Sequence, residues 1–148
     1  MGIPSRCPAA SAAITGSREA PDLRGCVRFF PVRGGVLMEA RIQGLPRQGP
    51  GIFGFHIHAG ESCAGEGFPE TGGHLNPEGF PHPRHAGDLP PIFRYCGSRG
   101  YLAFVTDRFS LPDILGKTVV IHSGSDAFRR QPARDSGRKI GCGVIQGR

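Results

Sequence analysis

Hydrophobic and polar positions alternate along this chain in short runs bounded by glycine and proline. Residues 36–42 show it best, with Val36, Met38, Ala40 and Ile42 on one side and Leu37, Glu39 and Arg41 on the other. That is the two-residue period of a strand with one buried face. Cys26-Val27-Arg28-Phe29-Phe30, within residues 25–31, reads as the preceding strand, and Gly34-Gly35 supplies the tight turn between them. Residues 12–15, 52–58, 101–106, 118–122 and 142–146 have the same character, for about eight strands in all. No stretch keeps a helical period beyond about two turns, although residues 110–116 have room for one turn. Two long segments interrupt the strands, one from residue 59 to about 99 and one over residues 123–139. The pattern predicts an all-β fold, an antiparallel sandwich or barrel with a Greek-key connection and two long functional loops.

Composition sharpens this picture. The 148 residues suffice for one domain with a real core and are too few for two, so the chain reads as a single domain over residues 1–148, with residues 1–11 as a flexible N-terminal tail. The 24 glycines and 14 prolines lie between β-branched and aromatic runs, which makes them turns rather than low complexity. A net charge of +6 marks a basic domain, but no aromatic-basic strand pattern points to nucleic acid. Pro4, Arg6, Cys7 and Pro8 interrupt any secretory apolar core. No segment has the length of a transmembrane helix. Cytoplasmic placement without membrane association is the expectation. Five cysteines are an odd count, which argues against a purely extracellular disulfide framework. Cys7, Cys26 and Cys96 have no metal-type spacing and read as free or buried thiols.

The candidate chemistry lies in the histidines. All 6 fall into one spacing scheme. His56 and His58 are two apart on a predicted strand and so share a face. Two imidazoles placed that way can share one ion at a bond length of roughly 2.0–2.1 Å. His74, His82, His85 and Asp88 follow within the long loop, and His122 ends the apolar strand Thr118-Val119-Val120-Ile121-His122. Three imidazoles and a carboxylate suit a closed tetrahedral zinc site. Pro77, Pro81 and Pro83 stiffen the path that carries them.

The runs GFHIH, GGHLNP, H-x-x-H-A-G-D-L-P and GCGVI resemble the copper–zinc superoxide dismutases, over about residues 12–145. The resemblance implies an eight-stranded Greek-key barrel. It implies copper as a cofactor on His56, His58, His74 and His122, and zinc on His74, His82, His85 and Asp88, with His74 bridging the two ions. Asp126, four residues after His122, matches the carboxylate that links a copper histidine to a zinc histidine and fixes their orientation. Cys63 and Cys142 match the family's intrasubunit disulfide, worth roughly 4–5 kcal/mol in the chain-entropy model.

The implied activity is the conversion of superoxide to dioxygen and hydrogen peroxide, with superoxide anion as substrate and His74 carrying a proton. A homodimer and a copper-donor protein are the partners the family suggests. One position departs from the family pattern. Three residues before Cys142, where the family has an arginine that guides the anion, this chain has Lys139, preceded by Arg138. Lysine keeps the charge and loses the planar fork. The stretch between His82 and His85 is also short, and the second loop is rich in arginine (Arg129, Arg130, Arg134). A non-catalytic copper- or zinc-binding module, either a copper store or a structural zinc sandwich, is the rival reading, and Lys139 is what favours it.

Overall fold

Ten strands account for the alternating segments in the computed structural model, which describes residues 7–80, 85–124 and 137–148. They are β1 (Ala10–Gly16), β2 (Arg24–Val32), β3 (Gly35–Gln43), β4 (Ile52–Phe53), β5 (Phe55–His58), β6 (Ile92–Tyr95), β7 (Arg99–Thr106), β8 (Thr118–His122), β9 (Lys139–Val144) and β10 (Gln146–Gly147). The helical content among the described residues is the turn α1 (Leu111–Ile114) and a 3-10 turn at Pro69–Thr71. No helix among the described residues is long and apolar enough to cross a membrane.

All the pairings are antiparallel, in the order β4-β6-β7-β3-β2-β1-β9-β8-β5, with β10 beside β1. The two ends of this path, β4 and β5, are consecutive in the chain and separated only by Gly54. The sheet therefore curls into a nearly closed barrel whose seam is crossed by one extended segment. Sequence reading treats residues 52–58 as a single strand. The structure divides it at Gly54, because its first half pairs with β6 and its second with β8. With β4 and β5 counted as one strand, and β10 as the continuation of β9 past Ile145, the expected eight remain.

The inward residues of these strands form one core. Val27, Phe29, Met38, Phe55, Ile57, Val119 and Ile121 are all fully buried in it. Each such side chain contributes about 1.5–3 kcal/mol relative to exposure. Two boundaries differ from the sequence expectation. β1 begins at Ala10, which is buried, so Ala10 and Ser11 belong to the sheet rather than to an N-terminal tail. β6 lies inside the segment read as irregular over residues 59–99. Ile92 faces the core there, Phe93 faces out, and Cys96-Gly97, both at positive φ, turns the chain into β7. Cys7, Cys26 and Cys96 are free and exposed.

Candidate metal centre

His56, His58 and His122 sit on the face of the β5–β8 pair opposite the core. The register pairs His56 with Val120 and His58 with Thr118, and the His122 backbone N–H donates to Gly54 O at 2.8 Å. With Phe55, Ile57, Val119 and Ile121 facing inward, the intervening histidines must project the other way. They are nevertheless buried, because the described parts of the following loop, residues 59–80 and 85–91, fold back over them.

Backbone hydrogen bonds dock that loop on the free edge of β5. Leu75 N donates to Ile57 O at 2.8 Å, Ile57 N to Gly87 O at 2.9 Å and Gly87 N to Leu75 O at 2.9 Å. Isolated bridges join His58 to His74 and His56 to Asp88. Gly87 makes the approach feasible, since a Cβ there would come 2.2 Å from Ile57 O. The loop thereby delivers its ligands beside those of the strands.

Two groups of metal-type donors result among the described residues. In each, the available ligand atoms all lie within 4.8 Å of one another. The first is His56, His58, His74 and His122; the second is His74, His85 and Asp88, so His74 belongs to both. His74 Nδ1 is 2.6 Å from Asp88 Oδ1 and 3.4 Å from His85 Nδ1. The His85 backbone N–H donates to Asp88 Oδ2 at 2.9 Å and holds the carboxylate in place. His74 and Asp88 side chains are 3% and 2% exposed, so this charge is removed from water, a costly arrangement unless a cation accompanies it. His82 and Asp126 lie outside the described residues.

The first group fits a cation in the same sense. His58 donates from Nδ1 to Gly72 O at 2.7 Å and His122 from Nδ1 to Gly137 O at 3.2 Å. A neutral imidazole that donates from Nδ1 keeps its lone pair on Nε2. The two Nε2 atoms are 3.2 Å apart, so two lone pairs converge where a metal would draw them together. Burial favours the neutral form and pushes His58 down to about 2. Burial, followed by the neighbouring His56, takes His122 to about 3. Neutral imidazoles are the form that binds metal. Four imidazoles suit copper, and imidazole with carboxylate suits zinc.

A cleft of about 650 Å³ opens onto His58, His74, His85 and His122, and Arg138 and Lys139 line its rim. Counted back from Cys142 by strict alternation, Lys139 belongs on the core side. A bulge reverses this. Ile121 pairs with Gly141 and His122 with Lys139, which leaves Ile140 as the extra residue. Ile140 and Gly141 both face the core, and Lys139 emerges on the histidine side. Re-aiming a side chain beside a site is a recurrent use of bulges. Lys139 Nζ then reaches Thr71 Oγ1 at 2.8 Å and Gly72 O at 3.2 Å, and burial lowers its pKa. Arg138 turns away to Glu19, with Nε 3.1 Å from Oε2.

Cys63 and Cys142 form a disulfide between the ligand loop and β9. Sequence reading missed the carbonyls of Gly72 and Gly137, and it missed Thr71. Backbone acceptors carry no residue signature, and Thr71 lies in no spacing motif.

The chain is similar over most of its length to proteins of one family. The model of the copper/zinc superoxide dismutase family matches residues 23–145. Superoxide dismutase [Cu-Zn] 2 of Aquifex aeolicus is 35% identical over 138 residues, covering 82% of this chain and 78% of that protein. The Cu-Zn superoxide dismutase of Deinococcus radiodurans is 33% identical, with 82% and 76% covered. The mouse copper chaperone for superoxide dismutase is 29% identical, and the match spans 48% of its length. Among solved structures, a double mutant of a SOD-like protein from Bacillus subtilis superposes with a TM-score of 0.77 at 26% identity, covering 93% of this chain and 97% of that one. With the barrel, the shared His74 and the disulfide already in view, these matches mean that the chain belongs to the copper/zinc superoxide dismutase family.

Proposed function

We propose that the protein is a superoxide dismutase, with copper on His56, His58, His74 and His122 and zinc on His74, His82, His85 and Asp88. The convergence of His56, His58, His74 and His122, with His74 common to both donor groups, carries this reading. When bound there, copper supplies the alternation of oxidation states that turns two superoxide anions and two protons into dioxygen and hydrogen peroxide, and zinc supplies a fixed charge.

The chain's own residues do the rest. Lys139 contributes positive charge at the rim of the cleft and draws in the anion, a rate effect that salt weakens. Gly72 and Gly137 hold the rings of His58 and His122 by their Nδ1–H groups, so that the lone pairs stay aimed at one point. Asp88 aligns His74, whose imidazole is placed to accept a proton and to return it. Asp126 is proposed to tie the two halves of the site together, as the family pattern implies.

A second reading is a metal-binding protein of this family without turnover. The relative named as a copper chaperone, the SOD-like neighbour and the lysine in place of the family's arginine favour it. A full imidazole set with a shared histidine argues against it, because carriers of copper(I) favour soft sulfur ligands.

Superoxide removal measured after loading with copper and zinc, alongside metal content and a His74→Ala control, separates the two. Fast removal that requires copper and disappears in the control is expected. Full copper uptake with negligible removal would leave the binding protein.

A further inference from the structure

The segment over residues 59–73 meets β9 at two places. One is the Cys63–Cys142 disulfide. The other lies three residues earlier on β9, where Lys139 Nζ reaches Thr71 Oγ1 at 2.8 Å and Gly72 O at 3.2 Å. Thr71 is 0% exposed. Its hydroxyl has one hydrogen, and that hydrogen goes to Phe68 O at 2.8 Å, which leaves a lone pair for the ammonium group. Phe68 is held in turn. It sits at φ 56, a left-handed conformation that a bulky residue adopts only under constraint, and it packs against Val120 and the disulfide cysteines. The Gly72 carbonyl that receives Lys139 also receives His58 Nδ1.

We propose that Thr71 is a positioning residue for Lys139, doing for a flexible lysine what the planar fork of an arginine does for itself. An ammonium group on a four-carbon stem has three donors and no preferred plane. Acceptors on two consecutive residues, the Thr71 hydroxyl and the Gly72 carbonyl, fix two of those donors and leave the third for an incoming anion. The Gly72 carbonyl ties the charge to His58, so the anion guide and the metal ligand share one support. The part of this proposal that concerns anions rests on the dismutase reading; the contact itself does not.

The chain has two lysines, Lys117 and Lys139, so Lys117 serves as an internal reference. Trace acetylation of the metal-free protein with acetic anhydride, read by mass spectrometry, reports the Lys139-to-Lys117 labelling ratio. Thr71→Val keeps the shape and removes the hydroxyl. The ratio is expected to rise roughly three- to tenfold, the factor that one net hydrogen bond represents, and Thr71→Ser is expected to return it to the native value. An unchanged ratio in Thr71→Val, or no recovery in Thr71→Ser, overturns the contact.

If the valine variant does not fold, the native protein decides. With ε-nitrogen-15 lysine, the Lys139 ammonium protons are expected to exchange with water more slowly than those of Lys117, and equal rates overturn the contact. In the copper-loaded protein, azide affinity is expected to fall in Thr71→Val by a factor similar to the labelling change. Raised labelling with unchanged azide affinity would overturn the anion-guiding role while the contact stands.

Discussion

His58 and His122 stand on strands joined through the β5–β8 pair with their Nε2 atoms 3.2 Å apart, each ring turned by a backbone carbonyl behind it. The pair is built to stay neutral. Burial pushes His58 down to about 2, and burial with the nearby His56 takes His122 to about 3.

The metal-free protein should therefore lose stability in mild acid. Both folded values lie below the ordinary 6.5, so between that pH and about 3 the unfolded chain binds more protons than the folded one. Stability falls as pH falls through this window. The expected slope reaches about 1.4 kcal/mol per pH unit for each histidine. Urea unfolding of the metal-free protein between pH 7.5 and 4.5 measures it, and His58→Gln should flatten the profile. A flat profile in the native protein would contradict the buried neutral pair.

Under the proposed function, Lys139 acts on the approach of the anion. Lys139→Ala should lower the second-order rate of superoxide removal by roughly tenfold at low ionic strength, and it should weaken the salt dependence. Lys139→Arg keeps the charge and should keep the salt dependence. Rates measured across a salt series distinguish steering from a general loss of structure, since unfolding would lower activity at every salt concentration alike.

The disulfide closes a separation of 79 residues and anchors the ligand loop to β9. Replacing both cysteines with serine should cost about 2–5 kcal/mol of unfolding free energy. It should also release Phe68, which packs on the bridge, and so raise the reactivity of Lys139 toward acetic anhydride. Denaturant titration reads the first effect and peptide mapping the second. Lost stability without a change at Lys139 would separate the bridge from the positioning of the lysine.

Away from the metal-type groups, Glu39 is 1% exposed on β3, between buried Leu37 and exposed Arg41 on the same face. Arg28 binds Glu39 Oε1, while Arg41 Nη2 and Tyr101 Oη approach Oε2 at 3.4 and 3.0 Å. Burial pushes the carboxyl up, but hydrogen bonds from Arg28 and Tyr101 and the charges of Arg28 and Arg41 outweigh it and hold the pKa below its ordinary value. Glu39→Gln should destabilise the fold by about 1–3 kcal/mol, with copper and zinc uptake unchanged. Thermal unfolding and metal analysis of the same sample check both.

The sequence by itself determined the elements whose causes are local. Alternation in residues 36–42 demanded a strand with one buried face, and the GFHIH run required two histidines on a common face. Imidazole and carboxylate donors at their spacings pointed to metal chemistry, and the resemblance to the family, counted back from Cys142, pointed to Lys139. Tertiary structure decided what depends on a partner strand. Residues 52–58 divide at Gly54 because the two halves meet different neighbours, and β6 exists because β7 pairs with it. Lys139 faces the cleft only through the bulge at Ile140, which the register against β8 imposes. His74 joins two donor groups, and Thr71 holds Lys139, because backbone carbonyls dock the long loop on β5. Every backbone presents the same carbonyls, so where they dock becomes visible only once the barrel has folded.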